Sequence, residues 1–195
     1  AVTLLGAVLA LASPARGQDY DLVIRNGRVV DGTGAPWRRA DVAVRGDTIV
    51  AVAPGITAAA RRSIDAAGRV VAPGFIDVHT HARRGIFEVP TAENYVRQGV
   101  TTLVEGQDGS SPLPLGAFLA KVTALRPAVN FASLVGHGSV REAVMGRVDR
   151  APSAAELARM QDFVREAMRE GAFGLSTGLF YVPGTFARTE GVVAL

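Results

Sequence analysis

The apolar pattern changes character twice along the chain. Residues 1–17, AVTLLGAVLALASPARG, begin with a nearly unbroken apolar stretch that carries no charge before Arg16. It is shorter than the ~18–20 residues needed to cross a bilayer. Small residues follow it, with Ser13, Ala15 and Gly17 suited to cleavage, so the segment reads as the apolar core and cleavage region of a secretory signal. The basic start of such a signal is missing, which implies residues ahead of Ala1. From 18 to 72 the period is two, as in strands. YDLVIRNGRVV alternates about Asn26-Gly27 and predicts a hairpin. ADVAVRGDTIVAVAPG repeats the form about Gly46-Asp47, and RSIDAAGRVVAPG predicts two shorter strands. The segment reads as the N-terminal part of a small β-sandwich domain.

After Pro73-Gly74 strands and helices alternate. FIDVHTH predicts a strand, TAENYVRQG a short helix closed by Gly99, and VTTLVEG a second strand. LGAFLAKVTAL predicts a helix with Leu115, Phe118, Leu119, Val122 and Leu125 on one side, and NFASLVG a third strand. SAAELARMQDFVREAMREG carries the best helix signal. Ser153 and Glu156 form a capping box, Leu157, Met160, Val164, Ala167 and Met168 form its stripe, and Gly171 ends it. AFGLSTGL predicts a fourth strand. Short connections between strands and helices suit parallel βα units. The expected fold class is therefore α/β: the N-terminal half of a (β/α)8 TIM-like barrel over 73–195, preceded by the small β domain. A whole barrel takes ~250 residues, and TEGVVAL opens what reads as the next helix, so the barrel is expected to be incomplete.

Composition narrows the function classes. The chain has 195 residues, 48% of them apolar, enough to bury a core. A formal charge of +3 is mild and its arginines are scattered, which favours no nucleic-acid partner. The absence of cysteine excludes disulfides, thiol nucleophiles and a lipoprotein anchor. Once a signal is removed no segment is suited to stable membrane insertion, and the expected location is periplasmic or extracellular.

The chemistry concentrates at His79 and His81. On a strand Asp77, His79 and His81 share one face, and the end of a barrel strand emerges at the rim where barrel active sites lie. Two imidazoles so spaced can reach one divalent ion, at ~2.0–2.1 Å each for zinc. Asp77 is better placed to orient than to ligate. A bare His-x-His also occurs as core or loop histidines; the Pro-Gly before it and the βα units after it favour the metal.

APGFIDVHTH resembles the first-strand signature of the metal-dependent amidohydrolase superfamily. DLVIRNGRVVDGTGAPWRRADVAVRGDTIVAV resembles the opening of the small β-sandwich of the same enzymes. LVGHGSVR and GAFGLSTGLFYVPGTFARTE resemble the D-aminoacylase (N-acyl-D-amino-acid deacylase) branch more specifically. The resemblance implies one or two divalent ions, zinc foremost, and hydrolysis of a non-peptide C–N bond in a small acylated amino acid. In most of the superfamily a carboxylated lysine bridges the ions; here the sole lysine, Lys121, falls mid-helix. The D-aminoacylase branch has a cysteine after the second strand, and in EGQDGSS Asp108 stands in its place. A carboxylate there is a harder donor and favours oxygen-preferring ions such as manganese; the alternative for Asp108 is a turn before Gly109. Glu105 is a weaker alternative ligand.

His137, Arg141 and Tyr181 are candidate substrate contacts, each with a structural alternative: a hydrogen-bonded histidine, a solvated arginine, a packed tyrosine. Arg83 and Arg84 are weaker candidates for a substrate carboxylate. Ser176 lacks the elbow and base of a nucleophile. The resemblance places the catalytic aspartate and two further histidine ligands beyond Leu195, so no catalytic residue is assigned. Competing readings are a ring-opening amidohydrolase of the dihydroorotase or hydantoinase type, and an inactive chain.

Overall fold

The computed structural model describes residues 19–195, so the expected signal segment lies outside the described residues. The chain divides into two compact units, one through Pro73 and one from Gly74.

The first unit is a single mixed sheet of five strands, one layer of the two that a sandwich needs. β1 (Tyr20–Val29), β2 (Arg38–Arg45), β3 (Thr48–Ala53) and β4 (Ala60–Asp65) lie in the order β3-β2-β1-β4, and β5 (Val70–Val71) also pairs β1. β2 and β3 form the expected hairpin, with Arg45 opposite Thr48 and Gly46 at φ 60°. The hairpin expected at Asn26-Gly27 is absent: β1 runs straight through both residues. Asn26 takes φ 58°, and the register against β2 slips between Ile24 and Gly27, which makes the pair a bulge. The Asn26 N–H donates to Asp41 (2.8 Å) and its side-chain amide to Asp65 (3.0 Å). These partners satisfy the bulge without reversing the chain. A Cβ on Gly27 would meet Val71 at 2.6 Å, so the bulge also needs its glycine.

The second unit alternates parallel strands and helices. β6 (Phe75–Asp77), β7 (Val100–Glu105) and β8 (Asn130–Ser133) pair in parallel in that order. β9 (Val135–Gly136) follows β8 after one residue and pairs in parallel with β10 (Leu175–Ser176). The Leu134 N–H bonds Glu105 on one side (2.8 Å) and the Val135 N–H bonds Gly174 on the other (2.9 Å). The third strand thus passes its pairing from β7 to β10. Such a set of four parallel strands is an α/β arrangement related to the (β/α)8 barrel, seen here as an open sheet.

The helices α1 (Gly85–Glu88), α2 (Glu93–Val96), α3 (Leu115–Leu125), α4 (His137–Met145) and α5 (Ala154–Arg169) fill the connections, and α6 (Thr189–Val193) follows β10. α5 starts at the expected capping box: Ser153 accepts from the Glu156 N–H (3.3 Å) while Glu156 accepts from the Ser153 N–H (2.8 Å). Its buried stripe is Met160, Val164 and Ala167, packed with Leu115, Val135 and Val140. Met168, expected in that stripe, is 46% exposed at the helix end. A second cluster, Ile86, Ala92, Leu103 and Val129, lies under α1 and α2. α4 was not expected from the pattern; its polar start, HGSVR, lacks a helical apolar stripe. No described helix is long and apolar enough to cross a membrane.

Candidate metal centre

β6 ends at Asp77, earlier than FIDVHTH suggests, so His79 and His81 stand on the loop beyond it. The Asp77 carboxylate accepts the His79 N–H at 3.1 Å, which turns the chain out of the strand and aims the first imidazole. β7 ends at Glu105, beside β6, and the loop after it carries Asp108. The two parallel strands therefore deliver His79, His81 and Asp108 to one rim. One Asp108 carboxylate oxygen, Oδ2, lies 3.3 Å from His79 Nε2 and 3.2 Å from His81 Nε2. The imidazole rings meet edge to face, with centroids 5.5 Å apart.

The three donor atoms lie within 4.8 Å of one another, the one such His/Asp/Glu group of three or more among the described residues. Donors at ~2.0–2.2 Å from a tetrahedral zinc ion stand about 3.3–3.6 Å from one another. The observed carboxylate–imidazole separations are close to that spacing. Two nitrogen donors and one carboxylate oxygen are also a donor set that divalent transition metals accept. The residues present fit the ion that the resemblance implies.

The Asp108 loop is narrow. Gly106, Asp108 and Gly109 all have positive φ, at 89°, 58° and 70°. A Cβ on Gly178 would lie 2.2 Å from the Asp108 carbonyl oxygen, and one on Gly136 2.5 Å from Gly109. Glycines at the end of the third strand and just beyond the fourth thus let backbone approach backbone around Asp108. The Gln107 side chain donates to the Val78 carbonyl and ties this loop to the histidine loop.

Arg83 makes a second tie. Its backbone N–H bonds Glu105 (3.2 Å), its Nε lies 3.4 Å from the other Glu105 oxygen, and its guanidinium donates to the Ser110 carbonyl and hydroxyl (3.0 and 3.1 Å). Glu105 is fully buried and turned to Arg83, outside the three-donor group. Arg84 is exposed at the start of α1. Lys121 is exposed on α3.

A cavity of about 380 Å³ opens beside His81 and Asp108 and is bordered by Tyr181, Gly184 and the paired Glu142 and Arg147. Tyr181 is half exposed there and packs edge to face on Phe180. His137 and Arg141 border a different cavity, of about 210 Å³, between α4, α5 and α6. Both are 1% exposed. His137 Nδ1 lies 3.2 Å from the Thr177 hydroxyl, and burial, then the Arg141 charge, hold its pKa below the usual histidine value. The Arg141 guanidinium donates to the Val148 and Arg150 carbonyls (3.1 and 2.6 Å), bracing the loop before α5. Ser176, not assigned a role by its sequence, is buried and bonded to the Asp108 loop. The glycines around GLSTG hinted at close approach there, but nothing in the sequence named its partner.

Comparison with known proteins agrees with this geometry. The family model described as Amidohydrolase family matches residues 62–189. A D-aminoacylase from Alcaligenes xylosoxydans xylosoxydans is 39% identical over 93% of this chain and 42% of its own length. An N-acyl-D-glutamate deacylase from the same organism is 41% identical over 87% of this chain and 39% of its own length. The crystal structure of N-acyl-D-glutamate deacylase from Bordetella bronchiseptica, complexed with zinc and a phosphonate inhibitor, superposes with a TM-score of 0.85 at 41% identity, covering 90% of this chain and 42% of that one. The chain thus spans about two fifths of the length of these relatives. With the family model covering more than half of it, and its similarities lying with the D-aminoacylase branch, this chain belongs to the amidohydrolase family.

Proposed function

We propose that the protein hydrolyses the amide bond of an N-acyl-D-amino acid at a divalent metal centre, zinc foremost, with one or two ions held by His79, His81 and Asp108. The carrying observation is the convergence of two imidazoles and one carboxylate at 3.2–3.3 Å on a rim formed by parallel strands. A bound ion supplies a water of pKa near 7 and polarises a carbonyl. The protein's own residues do the rest of what can be assigned here. Asp77 and Gln107 orient the two ligand loops, and Arg83 holds the second loop against β7. Tyr181 borders the cavity next to His81 and Asp108 and is assigned to the substrate's acyl group. His137 and Arg141 face away into their own cavity and are assigned to support of the rim. The substrate is a small acylated amino acid, with no nucleic acid involved.

The test is release of free amine from N-acetyl-D-amino acids and their L-isomers by the full-length protein, with and without a chelator. Release from the D-isomers, lost with chelator and restored by zinc, is expected. Opening of dihydropyrimidine or hydantoin rings without deacylation would move the substrate to the cyclic amides, and no turnover by metal-loaded protein would sink the proposal. We also infer export, supported by the apolar and small-residue pattern of 1–17. The mature protein recovered outside the cytoplasm should then begin near Gln18.

A further inference from the structure

We propose that Ser176 is a positioning residue for the metal centre, its hydroxyl setting the Asp108 carboxylate by clamping both ends of the loop that presents it. The inference rests on the metal reading above and deepens it. Asp108 sits at φ 58° between Gly106 and Gly109, a conformation a non-glycine residue keeps only when its surroundings impose it. The loop supplies little of that constraint itself: its own backbone bond runs from the Ser110 N–H to Gln107, at 3.2 Å.

Ser176 supplies it from the fourth strand. Its Oγ accepts the Gly109 N–H at 3.1 Å and donates to the Gly106 carbonyl, both bonds buried. A hydroxyl has one proton to give, so the two bonds together leave it a single orientation. The Gly106–Gln107 and Asp108–Gly109 peptide groups, which bracket the Gln107–Asp108 pair, are thereby tied to one atom, some 67 to 70 residues away in sequence. Ser176 is itself 8% exposed and held opposite Gly136 by the pairing of β10 with β9. Its proton is committed to a carbonyl rather than to a base, which is the arrangement of a clamp and not of a nucleophile.

Without the hydroxyl, the Gly109 N–H and Gly106 carbonyl are left buried without their partner, and the loop must move to satisfy them. Asp108 then leaves its place beside the two imidazoles. Partners that orient a ligand in this way typically carry ~10–100-fold in metal affinity.

The experiment is a cobalt(II) titration of the full chain, followed by visible absorption, for the unchanged protein, Ser176→Ala and Ser176→Cys. Thermal unfolding of each metal-free protein is recorded alongside. The expected result is a folded Ser176→Ala protein that binds cobalt ~10–100-fold more weakly, with an altered ligand-field band. Should Ser176→Ala fail to fold, Ser176→Cys carries the same expectation, because it fills the space with a weak hydrogen-bonding group. Unchanged affinity and spectrum in a folded variant would overturn the clamp alone. No cobalt uptake by the unchanged protein would overturn the metal reading and the clamp with it.

Discussion

The Asp108 carboxylate stands 3.3 Å from the His79 imidazole across 29 residues of sequence. The intervening chain contains α1, α2 and β7, and neither residue's immediate neighbours mention the other. They meet because β6 and β7 are parallel neighbours, with Asp77 opposite Leu103, so the loops after both strands emerge at the same rim.

On the metal reading proposed above, Asp108 is a ligand as well as the turn residue before Gly109, and Asp108→Ala should empty at least one metal position. The fall in affinity should exceed the ~10–100-fold typical of an outer partner. Metal content by mass spectrometry decides it. Unchanged stoichiometry would return Asp108 to a turn.

Arg83→Ala should destabilise the fold by about 3 kcal/mol, because it strips a fully buried Glu105 of its cation. Urea unfolding reads the loss. Adding Glu105→Gln to that variant should recover part of it by removing the stranded charge; a double variant no better than the single one would show that the charge was not the cause.

Gly136→Ala tests the close approach behind the ligand loop. The backbone at Gly136 has φ −87°, open to alanine, so its effect is steric. The new Cβ would lie 2.5 Å from Gly109, and a cost of ~1–3 kcal/mol with weakened metal binding is expected. Gly85→Ala, whose Cβ would meet nothing within 4 Å, is the control and should stay within about 0.5 kcal/mol. Equal effects at the two sites would contradict the packing described.

His137 should make stability depend on pH on the acid side. Burial and the Arg141 charge lower its folded pKa below the 6.5 of an unperturbed histidine. Between the two values the unfolded chain binds the extra proton, so stability rises with pH through that window and is lost as pH falls below about 6.5. Comparing the protein with His137→Gln by unfolding across pH 5–8 isolates this from the other histidines. Parallel curves for the two would remove His137 as the cause.

Much was decided locally, and those parts were legible from the sequence. The Gly46-Asp47 turn, the α3 stripe, the Ser153–Glu156 capping box and the alternation of strand and helix all depend on backbone preference and on neighbours within a few residues. The strand leading to His79 and His81 was legible for the same reason, though it ends at Asp77 and leaves both histidines on the loop beyond it. The tertiary structure decided what depends on distant partners. Asn26-Gly27 is a bulge because Asp41 and Asp65 take its hydrogen bonds; a turn signal alone cannot register them. Leu103 is fully buried while Ile76 is 61% exposed, though both are apolar strand residues, because burial depends on what covers a strand. His137 and Arg141 turn from the rim into the packing of α4. Ser176 reaches Gly106 and Gly109 only once the fourth strand lies beside the third. Sequence carries the local free energies of turns, caps and periodicity; which donor finds which acceptor across the chain is settled by the strand order that brings them together.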